Sequence, residues 1–259
     1  MVVKSQLFFI SIMGTLYNQL ADVYEKMYRS FINYEEEFTY YSRKLKMQGV
    51  NCVLELGCGT GNLAEKFIES GFTYTGMDLS NTMLDIAKKK FPDGKFILGN
   101  MLDFSLSEKH EACFFAGRTS AYLIGEKDIK ITLSAINKNL CSSGIICFDC
   151  IDAEKFLPQI KDGFQISHTA GFEEKTFHRD SYWKSQPELP GLFNWKSIYF
   201  EIEKNGSKKE IGSDDSMLRA FTKQEIELVL QKTGYKLIEM EDRPSYAFDT
   251  FVILAQKIM

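Results

Sequence analysis

Val53-Leu54-Glu55-Leu56-Gly57-Cys58-Gly59-Thr60-Gly61-Asn62 decides how the chain is read. Cys52 to Leu56 is an apolar run short enough to be a buried strand. Three glycines at alternate positions break it, and a helical pattern from Asn62 to Ser70 follows, with Leu63, Phe67 and Ile68 on one side. A glycine turn between a buried strand and a helix lets a ligand approach the backbone closely, at the strand end where parallel sheets bind ligands. Spacing narrows the choice of ligand. A dinucleotide fingerprint, G-x-G-x-x-G, needs a glycine where Asn62 stands, and Glu55 two residues before the first glycine suits a cation better than a pyrophosphate.

Downstream the rhythm continues. Phe72 to Met77 reads as a strand, and Ser80 as the cap of a helix running to Lys90. Lys95 to Leu98 and Ala112 to Ala116 read as strands. Asp128 to Leu140 reads as a helix closed by Ser142-Ser143-Gly144, before a strand from Ile145 to Cys150. Such alternation with apolar strands predicts an α/β protein whose doubly wound sheet is mostly parallel. Upstream, residues 16–48 read as helical, with Leu20, Val23, Tyr24, Met27 and Phe31 at helix spacing and a second stretch from Tyr34 to Met47.

Between 152 and 216 the pattern changes. Lys175 to Trp183 and Trp195 to Glu203 alternate as strands, and Asn205-Gly206 predicts a two-residue hairpin turn with both residues at φ > 0. Thr222 with Glu225 forms a capping box for a helix through Gln231. Gly234 ends it, and strands follow at Lys236 to Glu241 and Thr250 to Gln256. The expected organisation is an N-terminal helical cap (1–48), an α/β core (49–151), an inserted antiparallel β segment (152–216) and a closing helix and strand pair (217–259).

Composition bounds the class. The chain has 259 residues, of which 44% are hydrophobic and 25% charged, which is enough apolar surface for a large core and excludes fibrous and largely disordered proteins. With 31 Lys+Arg against 35 Asp+Glu the formal charge is −4, so the basic footprint of a nucleic-acid reader is absent and no nucleic-acid partner is expected. No run approaches the roughly 20 apolar residues that cross a bilayer, so no membrane partner is expected. Leu7 to Met13, preceded by Lys4 and followed by Gly14, is too short to span and lacks a small-residue cleavage site. It reads as an N-terminal extension, with Met13 an alternative start. Cys147 and Cys150 fit C-x-x-C, but on a strand they point to opposite faces, so the six cysteines read as reduced and the compartment as cytoplasmic. His110, His168 and His178 lack metal-ligand spacing, and no metal is expected.

Asp78, at the end of the second strand, suits a ribose diol. Together, Glu55-Leu-Gly-Cys-Gly-Thr-Gly61, Gly76-Met-Asp-Leu-Ser80, Gly99-Asn-Met-Leu-Asp103, Ala112 to Leu123 and Ser142-Ser-Gly-Ile-Ile-Cys-Phe-Asp149 resemble the motifs of class I S-adenosylmethionine-dependent methyltransferases of the small-molecule type. The third motif departs from the family, with Asn100 where an Asp is usual. The resemblance spans roughly residues 16–151 and 217–259. It implies a seven-stranded sheet and S-adenosylmethionine as cofactor. The implied contacts are Glu55, Gly57, Cys58, Gly59, Gly61 and Asn62 in the loop, Asp78 and Leu79 at the ribose, and Asn100 and Met101 at the adenine. Ala116 and Gly117 stand at the carboxyl end of the fourth strand, and Tyr24 in the N-terminal segment.

The resemblance further implies that Tyr17 and Tyr28 close the site, since N-terminal tyrosines do so in such enzymes, and a ring face or phenol oxygen attracts a sulfonium. Arg118 and Tyr122, after the fourth strand, stand where the acceptor meets the methyl group. Arg118 either holds an anionic group of the acceptor or pairs with an acid such as Glu55. The insertion, with Trp183 and Trp195, is expected to roof the acceptor site or to supply a homodimer contact. The expected reaction is methyl transfer to nitrogen or oxygen of a small molecule. A nicotinamide-dependent oxidoreductase and a non-catalytic S-adenosylmethionine-binding module are the alternatives.

Overall fold

The computed structural model describes residues 15–172, 174–243, 245–246 and 248–258. The run Leu7 to Met13, with Lys4, Gly14 and the alternative start at Met13, lies outside them. The chain divides into two compact units, residues 34–156 with 219–259, and residues 1–33 with 157–218. The segment expected as one helical cap is therefore shared between the units at Asn33. Among the described residues, no helix is long and apolar enough to cross a membrane.

The first unit is built on a seven-stranded sheet in the order β10-β11-β5-β4-β1-β2-β3. Its strands are β1 (Cys52–Leu56), β2 (Thr73–Asp78), β3 (Lys95–Leu98), β4 (His110–Phe115), β5 (Leu140–Ile151), β10 (Tyr235–Asp242) and β11 (Thr250–Lys257). β1 to β5 are parallel, and β11 runs antiparallel to both β5 and β10. Strand order reverses between β1 and β4, which creates the crevice where open α/β sheets place ligands.

The sheet is buried on both faces, and its side chains alternate between two cores. Leu54, Cys113, Phe115, Ile146, Phe148, Cys150 and Ile253 enter one core. Val53, Ala112, Phe114, Ile145, Cys147 and Leu254 enter the other. The period of two explains the strands' continuous apolar runs and separates Cys147 from Cys150 as their spacing predicts. Helices Tyr34–Met47 (α2), Ala64–Glu69 (α3) and Asn81–Lys90 (α4) cover the second core through Tyr41, Leu45, Phe67 and Leu84. Helices Asp128–Asn139 (α5) and Lys223–Lys232 (α7) cover the first through Leu133, Ile136, Ile226 and Leu230. Ser80 and Thr222 cap α4 and α7 as expected, accepting from the N–H groups of Met83 and Glu225.

Three local readings change. α3 begins at Ala64, because Gly61 adopts φ +75° and the Asn62 side chain is taken up by Thr60 and Lys90. β5 begins at Leu140 and carries a bulge: His110 pairs with Leu140 but Ala112 with Ile145, and Ser143 inside the bulge is left-handed (φ +59°). A short helix, α6 (Ala153–Gln159), follows β5, with the Asp152 carboxylate accepting from the N–H groups of Glu154 and Lys155.

The second unit has a helix, α1 (Ala21–Phe31), and an antiparallel sheet of four strands, one more than the two alternating runs and the hairpin partner of the second imply. These are β6 (Phe164–Phe172), β7 (Lys175–Ser185), β8 (Leu192–Ile202) and β9 (Lys208–Arg219). β6 and the first half of β9 are largely polar and exposed, so they lack an apolar alternation to reveal them. In the hairpin between β8 and β9 only Gly206 is left-handed (φ +83°). Gly206 N–H donates to Glu203 O (2.8 Å) and Glu203 N–H to Ser207 O (2.9 Å), the pattern of a longer turn ending in a left-handed glycine rather than a two-residue turn.

Phe148 is fully buried and stacks on Phe115 with ring centres 4.5 Å apart. Phe148→Ala is expected to cost about 3–5 kcal/mol of stability, read as a lowered midpoint in urea denaturation.

Candidate active site

The glycine loop is fastened to the end of the neighbouring strand. Gly57 N–H and Cys58 N–H both donate to Met77 O (2.7 and 3.1 Å), and Gly59 N–H donates to Asp78 Oδ2 (2.8 Å). This turn requires Gly57, Gly59 and Gly61 at φ +69°, +53° and +75°, where a side chain is strained. A Cβ on Gly57 would lie 2.7 Å from Thr119 Cγ2, whereas a Cβ on Gly59 would meet nothing within 4 Å. The backbone at Gly59 is thus open to a ligand. Cys58 is buried, its sulfur filling the space left by Gly76, and burial pushes its thiol well above the usual range.

Two carboxylates sit beneath and beside the loop. Glu55 is buried at the end of β1 and accepts from the Tyr74 phenol. Burial, with Asp78 adding to it, pushes the Glu55 carboxyl up to about 8, against the opposing Tyr74 hydrogen bond. Asp78 accepts through Oδ1 from Ser80 N–H (2.8 Å) and through Oδ2 from Gly59 N–H. Burial raises its carboxyl and these backbone donors restrain the rise. Leu79 N–H also approaches the carboxylate, which with two oxygens still retains acceptor capacity for a diol hydroxyl. Leu79 beside it is 37% exposed, a large apolar surface at the same strand end.

At the end of β3, Asn100 Oδ1 accepts from Leu102 N–H (2.9 Å) and Asn100 O accepts from Asp103 N–H (2.9 Å). The amide oxygen is therefore committed to shaping the turn that presents Met101, with a second lone pair and the NH2 group left for other partners. At the end of β4, Ala116 O accepts from the Thr119 hydroxyl (2.9 Å), and Gly117 (φ +67°) has open space at its Cβ position. Arg118 is left-handed too (φ +68°). Its guanidinium donates to Gly117 O and Tyr246 O and lies 4.8 Å from the Phe248 ring centre, so it braces this turn rather than pairing with Glu55. Tyr122 closes the short 3-10 turn that follows (Thr119–Tyr122).

In the second unit, Tyr17, Tyr24, Tyr28 and Phe31 form a ladder of rings. Tyr24 stacks on Tyr28 at 4.0 Å, with Tyr17 5.5 Å from Tyr24. Tyr28 is buried, and its hydroxyl accepts from Arg179 Nη1 (2.9 Å). Tyr74, Thr119 and Asp149 belong to the strand-end cluster as well. Tyr74 carries no motif signal, and Thr119 and Asp149 stand in motifs that assign them no evident role.

Residues 53–144 match a family model described as a methyltransferase domain. A putative methyltransferase of Geobacillus sp. (strain WCH70) is 31% identical over 140 residues, 51% of this chain and 56% of that one, so the alignment spans little more than half of that relative. The putative methyltransferase YqeM of Bacillus subtilis is 25% identical over 256 residues, 93% of this chain and 97% of its own. A dTDP-3-amino-3,4,6-trideoxy-alpha-D-glucopyranose N,N-dimethyltransferase of Streptomyces venezuelae is 23% identical over 193 residues, covering 74% and 78%. Among solved structures, an S-adenosylmethionine-dependent methyltransferase from Clostridium acetobutylicum superposes with a TM-score of 0.75 at 18% identity, covering 94% of this chain and 99% of that one. CalS10, an amino pentose methyltransferase from Micromonospora echinaspora, gives 0.74 at 20% identity, covering 91% and 96%.

Residues 53–144 are a methyltransferase domain, and the fold is that of class I S-adenosylmethionine-dependent methyltransferases. Its cofactor is S-adenosylmethionine, and the residues present suit it. The open backbone at Gly59, the remaining acceptor capacity of Asp78 and the exposed apolar surface of Leu79 match a loop-bound chain, a ribose diol and a flat base. The nicotinamide reading is set aside.

Were Glu55 the partner of the cofactor's cationic end, a prediction with a definite sign would follow. A carboxyl held at about 8 is protonated at neutral pH, and cation binding favours the ionised form. Cofactor binding by this methyltransferase at pH 7 should therefore release a proton, and affinity should rise towards pH 8. Glu55→Gln should abolish both, as read by calorimetry in buffers of different ionisation enthalpy. Because the folded carboxyl lies above its unfolded value, ionising it opposes folding, and Glu55's contribution to stability falls as pH rises from about 4.5 to about 8.

Proposed function

We propose that this methyltransferase acts on an amine nitrogen of a small, polar acceptor of the amino-sugar class. Two supports come from relatives, since enzymes named as amino-sugar N,N-dimethyltransferases align over 74% and 78% of this chain. The observation that carries the reading is the buried face of the four-stranded sheet. Arg179, Ser181, Ser197, Tyr199, Asp214 and Ser216 are buried there, with Phe177, Trp183, Phe193 and Trp195 also buried on β7 and β8. Asp214 accepts from the Ser216 hydroxyl through Oδ2 (3.1 Å) and is approached by the Leu16 backbone N–H, while its Oδ1 has no partner of good geometry among the described residues. A buried carboxylate oxygen without a donor is costly, and a ligand carrying hydroxyl and amine donors would supply one. Rings interleaved with polar groups also suit the alternating apolar and hydroxylated faces of a sugar.

When bound, S-adenosylmethionine supplies an already activated methyl carbon. The protein's own groups then have to bind, orient and exclude water, and to accept an amine presented with its lone pair free. The chain between Phe115 and Leu123 lacks the Asn/Asp-Pro-Pro-aromatic signature of enzymes that methylate the amino groups of DNA bases, in keeping with a small acceptor.

The test is S-adenosylhomocysteine release from a panel of nucleotide-linked and free amino sugars, with phenols, catechols and hydroxy acids as oxygen acceptors. Turnover confined to amine acceptors supports the proposal, and turnover on oxygen acceptors alone overturns it. Asp214→Asn should lower kcat/KM for the preferred amine roughly 10- to 100-fold while S-adenosylhomocysteine affinity holds.

A further inference from the structure

Arg118 is one of only two described non-glycine residues with positive φ, and it stands at the carboxyl end of β4, beside the point where strand order reverses. A left-handed arginine carries a conformational cost that glycine or asparagine would largely escape, so something nearby must hold it. Arg118 N–H donates to Asp149 Oδ1 (2.9 Å), and the Ser120 hydroxyl donates to Asp149 O (2.6 Å). Asp149, 4% exposed at the end of β5, thus grips the turn twice. The next residue in the turn, Thr119, fills the space beside Gly57, where an added Cβ would lie 2.7 Å from Thr119 Cγ2. A continuous line of contacts runs from Asp149 through Arg118 and Thr119 to the first glycine of the cofactor loop.

We propose that Asp149 is a positioning residue, whose carboxylate holds the 117–119 turn and, through Thr119, sets the glycine loop in its cofactor-binding shape. The proposal rests on the cofactor loop and not on the identity of the acceptor. The hydrogen bond is strongest when the carboxylate is ionised, because charge assists it. Burial raises this carboxyl to about 6, with Glu37 pushing it up, while Arg118 and Arg243 restrain the rise. The groups facing it are Arg118 on the turn, Glu37 and Tyr41 on α2, Arg243 after β10, and Cys147 and Cys150 on its own strand. The grip therefore loosens as pH falls through about 6.

Calorimetric titration of the full chain with S-adenosylhomocysteine between pH 5 and 9 tests this without any acceptor. Wild-type affinity should drop about tenfold below the Asp149 range, one unit of differential protonation being a tenfold change. Asp149→Asn keeps an acceptor oxygen without charge, so it should bind with the low-pH wild-type affinity and show no step near pH 6. The step near the Glu55 range should remain. Arg118→Gly suits a left-handed position and removes the restraining cation, so it should move the step to higher pH. That variant reports on Asp149 even if Asp149→Asn fails to fold, and it separates Asp149 from Asp78. A wild-type profile with no step near pH 6 beyond the slope that Glu55 gives, an unchanged step in Asp149→Asn, or an unmoved midpoint in Arg118→Gly overturns the proposal.

Discussion

The site depends on one small set of backbone hydrogen bonds. Gly57 and Cys58 donate to the carbonyl of Met77, and Gly59 donates to the carboxylate of Asp78. These tie the loop leaving β1 to the end of β2, and they are possible only because the chain turns left-handed at alternate residues. The consequence is backbone left accessible at Gly57 and Gly59 beside the crevice between β1 and β4, with the acidic ends of two strands next to it. The helices, the two cores and the remaining strands hold these two strand ends in register.

The same place concentrates carboxylates where burial opposes their charge. Glu55, Asp78 and Asp149 stand at the ends of β1, β2 and β5, and burial raises the carboxyl of each. Hydrophobic residues there would fold more easily. Retaining acids marks a site shaped for a ligand rather than for stability, since perturbed groups cluster where chemistry is done. Each acid has a distinct local partner: the Tyr74 phenol for Glu55, backbone amides for Asp78, and the strained Arg118 turn for Asp149.

Legibility in the sequence followed the strength of local patterning. Buried strands read clearly because both faces are apolar, and Ser80 and Thr222 announce helix starts through their side chains. The glycines at 57, 59 and 61 carried the loop, because few other residues tolerate that backbone. β6 and much of β9 were invisible, since their residues are exposed and polar and pairing with neighbours holds them in place. The bulge at 141–144 was hidden for a related reason: Ser142-Ser143-Gly144 is turn chemistry whether it ends a helix or interrupts a strand.

By itself, the sequence determined the α/β rhythm, the glycine loop and the acidic residues that flank it, because each is written in contiguous residues whose backbone preferences act locally. Only the tertiary structure decided which groups those acids meet. Tyr74 reaches Glu55 because β1 and β2 pair in register, Leu54 against Thr75 and Glu55 against Gly76. Asp149 meets Arg118 because β4 and β5 pair up to Phe115 and Phe148, and β5 continues past that pair beside the turn leaving β4. Contacts between strands distant in the chain depend on pairing register and shared burial, and no spacing along a single segment encodes them.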